Sequence, residues 1–283
     1  MKFSKSTADI FVPDGSVPVQ ALARTTHLGI GAHQDDLEIM CLEGIFACYQ
    51  NTEKWFSGVI VTNGSGSARD GVYSKYSDEE MMAVRREEQK RAAIVGEFSC
   101  VSLLNHTSAE VRDPANNLPE CDIRGILEIA KPEVVYIHNL ADKHSTHIGT
   151  AMQTIRAIRS LPKPERPSRL LGCEVWRALD WLDDDQKVAL PITEHENLAQ
   201  ALIGIFDSQV AGGKRYDLAI MGRRRANATF FQPRSVDQFD LVDFAMDLTP
   251  LIEDDTIQPS EFVAEHIRSF ETSVRSELAR YGA

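Results

Sequence analysis

The chain has 283 residues, 43% hydrophobic and 25% charged, which is enough for a sizeable core in an ordinary globular protein. Thirty Lys and Arg against 42 Asp and Glu leave a formal charge of −12, arguing against nucleic acid as the main ligand, because a phosphate-tracking surface needs a basic excess. No apolar run approaches the roughly 20 residues that span a bilayer, and the first thirty residues lack a signal peptide's apolar stretch and cleavage site, so no membrane association and a cytoplasmic location are expected.

Taken in chain order, short apolar runs rich in β-branched residues predict strands at 27–33, 56–63, 100–105, 134–139 and 170–176. Most are continuously apolar, as expected of parallel strands covered on both faces. Helical patterns fall between them, at 37–49, 78–96 (with Asp78 as N-cap), 121–130 and 145–160. This alternation predicts a three-layer, Rossmann-like α/β fold with a mostly parallel sheet. Residues 161–169 carry three prolines and read as a surface loop. Beyond Trp176 the pattern loosens: a helix at 194–206, a short basic cluster of Arg223, Arg224 and Arg225, an extended stretch at 238–252, and an amphipathic terminal helix at 261–281. No break in composition marks a second unit, so the expectation is one domain over 1–283, with a core at about 27–176 and a C-terminal elaboration at about 177–283. The five cysteines, Cys41, Cys48, Cys100, Cys121 and Cys173, are odd in number, contain no C-x-x-C pair and read as small buried hydrophobes.

Open parallel sheets bind ligands beyond the carboxyl ends of their strands. The first strand ends in Ala32-His33-Gln34-Asp35-Asp36-Leu37-Glu38, and the fourth in a segment from His138 that runs through Asp142 and His144-Ser145-Thr146-His147. Gly29 and Gly31 begin a dinucleotide-type pattern, but Gln34 stands at its third glycine, and carboxylates would sit where a pyrophosphate should lie. A metal fits better. His33 and Asp36 can reach one point across a strand-to-helix turn, Asp35 can project beside it, and His144 and His147 share one helix face. Two imidazoles, a carboxylate and an open position describe a catalytic zinc site, and equally the facial triad of a non-haem iron(II) enzyme. The surplus carboxylate favours hydrolysis, which needs a base beside the metal.

These two motifs resemble the PIG-L/LmbE family of zinc-dependent N-acetylglucosaminyl deacetylases, whose pattern is A-H-P-D-D-x-E after the first strand and H-x-D-H after the fourth. The resemblance spans roughly residues 27–176 and includes Thr62-Asn63-Gly64-Ser65-Gly66 and Arg85, Glu88, Ala92 and Gly96, with weaker echoes at Glu174-Val175-Trp176 and Ser208-Gln209. It implies an LmbE-like fold and an enzyme that removes acetyl from an N-acetylated amino sugar. It also implies that His33, Asp36 and His147 hold Zn2+ (or Fe2+ or another divalent ion), that Asp35 is the general base and that His144, as an imidazolium, stabilises the oxyanion. Arg69 is implied as a contact for a sugar hydroxyl or phosphate, and a homo-oligomer, trimer or hexamer, is implied for the assembly. The chain departs from the pattern at Gln34, in place of proline, and at Thr146, in place of the acid that orients the polarising histidine. Asp142 is placed either to take over that contact with His144 or simply to cap the helix that follows.

The blander expectations are that Asp35 caps a helix, Glu38 is a structural hydrogen-bond partner, Arg85 and Glu88 form a weak i,i+3 pair, and Trp176 packs in the core, with Trp176 and Trp181 as sugar-stacking alternatives. The competing functional readings are the iron enzyme and a non-catalytic sugar-binding protein on the same fold.

Overall fold

In a computed structural model, which describes residues 1–282, eight strands form one mixed sheet. They are β1 (Asp9–Phe11), β2 (His27–Gly31), β3 (Phe56–Thr62), β4 (Cys100–His106), β5 (Val134–His138), β6 (Arg169–Cys173), β7 (Lys187–Pro191) and β8 (Val242–Asp247). Their order across the sheet is β1-β4-β3-β2-β5-β6-β8-β7. The pairs from β4 through β6 are parallel, and β1, β8 and β7 add antiparallel edges. The expected α/β fold with a mostly parallel sheet is therefore observed. The chain turns one way from β2 to β3 and the other way to β5, so the switch point of the sheet lies at the carboxyl ends of β2 and β5.

Alternation along the strands divides the interior into two cores. Leu28, Ile30, Val59 and Val135 face one cluster, under the helices Leu118–Ala130 and Ser145–Arg159. Phe56, Ile60, Val101 and Tyr136 face the other, under Leu42–Cys48 and Asp78–Val95. Both helical layers exclude water from the sheet, which is why the strands read as unbroken apolar runs.

Several boundaries differ from the sequence expectation. The helix expected at 37–49 is two helices, Asp36–Met40 and Leu42–Cys48, meeting at Cys41. The first of these presses onto Gly29, where a Cβ would lie 2.8 Å from Cys41 Sγ and from the Phe56 ring. Ser77, rather than Asp78, caps the helix Asp78–Val95, in a reciprocal box with Glu80. The Arg223, Arg224 and Arg225 cluster lies within a helix, Tyr216–Phe230. Four cysteines are buried, but Cys121 is exposed. The terminal helix Pro259–Ala279 contains no buried residue. No helix among the described residues is long and apolar enough to cross a membrane.

Candidate active site

The strand β2 delivers its chain into a tight turn before the helix Asp36–Met40. Asp35 occupies the helix N-cap position in the left-handed region, φ 89°, and its side chain makes no capping hydrogen bond. Asp is among the residues that best tolerate that backbone. The carboxylate is therefore free to point elsewhere, and Asp35 Oδ2 accepts a hydrogen bond from Arg85 at 3.0 Å. The turn is locked from several sides: Arg85 also donates to the Gln34 carbonyl, Gln34 Nε2 donates to Thr62 O at 3.1 Å, and Asp35 N donates to Gln89 Oε1 at 3.2 Å. Gly64 makes room for this lock; at φ 76° it brings its Cα so close that a Cβ would lie 2.6 Å from Gln34 Oε1.

On the adjacent strand, the loop after β5 feeds the helix Ser145–Arg159, whose first residues carry His147 inward and leave His144 half-buried. Three donor groups then converge. His33 Nδ1 lies 3.2 Å from His147 Nε2 and 3.4 Å from Asp36 Oδ2, while His147 Nε2 lies 3.5 Å from Asp36 Oδ1. Ligands at zinc-like bond lengths of about 2.1 Å around a tetrahedral ion stand roughly 3.3–3.5 Å apart. The residues thus fit a small divalent cation. His144 adds a further imidazole, its ring centroid 4.9 Å from that of His33 and 4.7 Å from that of His147.

Asp142 does not meet the His144 ring. It accepts the His144 backbone N–H at 2.8 Å and the Trp176 N–H at 3.1 Å, and its Oδ1 lies 3.4 Å from His147 Nδ1. A carboxylate behind the far nitrogen of an imidazole fixes the tautomer that leaves the near nitrogen free to bind a cation. Of the two placements expected for Asp142, it takes the one at the helix start, accepting the His144 backbone N–H, because the loop directs the carboxylate to the next turn of the helix. Thr146 is fully buried with an unpartnered hydroxyl, and His144 Nδ1 also lacks a partner.

Charge states follow burial. Burial pushes the Asp35 carboxyl up, Arg85 pulls it back and neighbouring Asp36 pushes it up again; the net direction is up. For Asp36, burial is outweighed by the imidazoles of His147 and His138, which hold the carboxyl well below the usual range. Burial, aided by His138, lowers His147 to about 4, leaving it a neutral ligand at neutral pH. Burial and the nearby His33 also lower His144.

Two residues not placed in the site from the sequence belong to this constellation. His138, fully buried at the end of β5, stacks on His147 with centroids 3.8 Å apart and places Nε2 3.0 Å from the Ala32 N–H and 3.2 Å from Asp36 Oδ2. Its Nε2 accepts the Ala32 N–H, and with Asp36 and His147 it forms one of two groups close enough to hold a metal, the other being His33, His144 and His147. Its position, last in the strand beside the turn, was the available signal. Arg85 is 1% exposed and joins Asp35 to Glu88, 3.6 Å away, which in turn accepts both the N–H and the hydroxyl of Ser208 at 2.7 Å. The pair with Glu88 is thus one link in a buried chain that holds Asp35, not an exposed helix pair. Glu38 accepts from Gln89 at 2.8 Å, as a structural partner should.

A cavity of about 690 Å3 opens over this floor, within the range of small-molecule sites. His33, Asp35, Asp36, His144, Thr146 and Arg85 line its base. Arg69 is not among the lining residues; it is turned back onto Ser65 O at 2.5 Å and Asp78 at 2.6 Å, bracing its own loop. The walls instead carry Arg112, Lys214 and Arg223. Trp176 is 38% exposed at the rim beside Tyr216, not packed in the core, while Trp181 packs against the interior.

Residues 28–158 match the PIG-L family model, described as GlcNAc-PI de-N-acetylase. A search of curated protein sequences gives no match. Among solved structures, the chain is similar to the N,N'-diacetylchitobiose deacetylase of Pyrococcus horikoshii, with 16% identity and a TM-score of 0.63 over 81% of this chain and 86% of that one. It is also similar to the 4-carboxy-2-hydroxymuconate hydratase of Pseudomonas putida, with 17% identity and a TM-score of 0.62 over 79% and 96% of the two chains. A third likeness, at 14% identity and a TM-score of 0.58 over 79% and 97%, is to a deacetylase of the A40926 pseudoaglycone. These likenesses establish the fold; one of the three is a hydratase, so the fold by itself does not choose the reaction.

Proposed function

We propose, from the match of residues 28–158 to the PIG-L family model, that this protein is a metal-dependent N-deacetylase that hydrolyses the acetamide of an N-acetylglucosamine-type sugar. The observation that carries the reading is the convergence of His33, Asp36 and His147 within 3.2–3.5 Å of one another beside a carboxylate that does not join them. His33, Asp36 and His147 would hold the cation, and His138 and Asp142 would orient the donors from behind. When bound, a divalent cation supplies Lewis acidity, making water more acidic and an amide carbonyl more electrophilic.

The chain's own groups do the rest. Asp35 takes a proton from the attacking water as its oxygen bonds to the carbonyl carbon, and returns that proton to the nitrogen as the C–N bond breaks, giving acetate and a free amine. A carboxyl raised above its ordinary range is suited to both halves of that transfer. Arg85 holds the carboxylate in place through a fixed charged hydrogen bond. The His144 N–H faces the same space as Asp35 and donates to the carbonyl oxygen as charge develops there. Trp176 and Tyr216 at the rim offer flat apolar faces for a sugar ring.

A water-adding enzyme would also need a base for water and an acid for carbon, so Asp35 suits either reaction, and the match to the PIG-L family model is what favours amide hydrolysis. The test is amine release from a panel of N-acetylglucosamine derivatives by zinc-loaded protein, alongside D35N. Asn tolerates the same left-handed backbone, so the variant should fold and keep stoichiometric metal while activity falls about 100–10,000-fold. Full activity in D35N, or no amine released from any derivative, would overturn the assignment.

A further inference from the structure

The helix Asp36–Met40, which presents Asp36 to the donor cluster, is five residues long and buried throughout. About one and a half turns cannot hold their own orientation, because internal hydrogen bonds are too few and the last carbonyls have no partner within the helix. Its direction is therefore set from outside, at both ends. At the N-terminal end, Arg85 and Gln89 of the core helix Asp78–Val95 grip Gln34 and Asp35. At the C-terminal end, Arg224 Nη2 donates to the Glu38 and Ile39 carbonyls, at 3.0 Å each.

Arg224 is fully buried, and its Nε donates to both oxygens of the buried Asp243, at 3.2 Å. Both residues belong to the elaboration, Arg224 to the helix Tyr216–Phe230 and Asp243 to β8. A buried ion pair is weak as a source of stability, since apolar groups of similar volume often serve as well. What a planar guanidinium adds is direction: Nε on the carboxylate and Nη2 on two carbonyls allow one placement of the short helix against β8. That helix is only about 7.5 Å long, so a slip at Glu38 and Ile39 reaches Asp36, and cation ligands tolerate only about 0.2 Å in bond length. Tyr216, Ala219, Ile220 and Arg223 line the cavity, so the helix that walls the site also holds the helix at its floor.

We propose that Arg224 is a positioning residue for the cation site: from the elaboration, it fixes the helix that carries Asp36, and so couples cation binding to the helix Tyr216–Phe230. The proposal rests on the cation-binding part of the deacetylase reading, His33, Asp36 and His147 as ligands, and not on the reaction that the cation serves. It gives the elaboration a task besides walling the cavity, because the core grips only one end of the helix that bears the ligand.

The experiment uses the full chain and zinc, without substrate. Hydrogen exchange of the parent is followed with and without the ion, and coupling predicts that zinc slows exchange in the helix Tyr216–Phe230 as well as in Asp36–Met40. Two variants then address the arginine: R224K keeps the charge but not the planar fork, and R224M/D243L replaces the buried pair by apolar groups. Each is expected to lower zinc affinity, read against a chromophoric chelator, by about tenfold or more. In R224M/D243L that loss should come with thermal unfolding of the zinc-free protein close to the parent's, which separates positioning from stability. Parent affinity in a folded R224M/D243L would make Arg224 structural only and overturn the proposal, as would zinc protection that stops short of Tyr216–Phe230. If neither variant folds, hydrogen exchange of the parent decides alone. No readout needs turnover, so a parent that binds zinc but releases no amine loses the deacetylase reading and leaves this one standing, whereas a parent that binds no zinc overturns both.

Discussion

His106 and Asp122 meet at 3.0 Å in the interior, with Ser4 donating its hydroxyl to Asp122 at 2.5 Å and its N–H at 2.8 Å. His33, Asp36 and His147 meet at 3.2–3.5 Å at the carboxyl edge of the same sheet. Residue types and distances are alike, but His33 is partly exposed where His106 is fully buried, and the two clusters differ in what their atoms face. Both Asp122 oxygens are filled by donors from the chain, so the cluster is a closed tie between the N-terminal segment and the helix Leu118–Ala130. In the other cluster, His33 and His147 turn nitrogens toward each other and toward carboxylate oxygens at the base of a cavity. Such an arrangement is poor as internal bonding and good as a set of ligands. Proximity of His and Asp does not mark a site; convergence of acceptors onto one accessible point does.

The largest effect should come from breaking each cluster in turn. D36N or H147Q is expected to lose bound zinc on dialysis and with it at least about a thousandfold of activity, because two ligands hold a cation poorly. H106Q should keep stoichiometric zinc and most activity while losing about 1–3 kcal/mol of stability, because the buried Asp122 loses one of its three donors. Metal analysis, amine release and thermal unfolding on the same preparations would separate the cases. Zinc lost from H106Q, or retained in D36N, would erase the distinction between the two clusters.

A smaller effect concerns the residue behind the open cluster. D142N keeps one oxygen, so only one of the two amides now bonded separately, His144 at Oδ1 and Trp176 at Oδ2, retains its acceptor, and the charge that faces His147 Nδ1 is removed. Zinc affinity, measured against a chromophoric chelator, should fall about 10–100-fold. Unchanged affinity would mean that Asp142 only caps the helix.

Much of this was legible in the sequence for one reason: the central strands are buried on both faces, so their apolar runs are continuous, and a parallel sheet puts its functional residues directly after them. His33, Asp35, Asp36, His144 and His147 all follow β2 or β5. What depended on side-chain direction was not legible. Arg69 and Arg112 both lie in segments beyond strands of the same sheet, and nothing in their spacing says that one folds back onto Asp78 while the other lines the cavity. Trp176 sits one residue beyond Glu174-Val175, both buried, and only the packing of the elaboration leaves it at the rim. His138 looked like the end of a strand because it is one; its role comes from the neighbouring strand, reached only through the sheet order. Arg85 resembled half of a helix pair until burial showed that its other partner lies fifty residues earlier, at Asp35.

The smallest effect tests the closed cluster by pH. Burial raises the Asp122 carboxyl, but hydrogen bonds from His106 and Ser4 outweigh it and hold the group below its ordinary value in the folded chain. A carboxyl lowered on folding adds stability above the unfolded pKa of about 4, and that stability is lost as the pH falls toward the folded value. D122N cannot titrate, so its deficit against the parent should be constant near neutrality and shrink as the pH drops below about 4. Asp36 is lowered too, but it lies in the open cluster, so adding zinc should alter the acid limb of D122N and the parent alike and leave their difference unchanged. A difference between the two proteins that responds to zinc would mean that the N-terminal tie and the cavity floor are coupled, and that the two clusters are parts of one device.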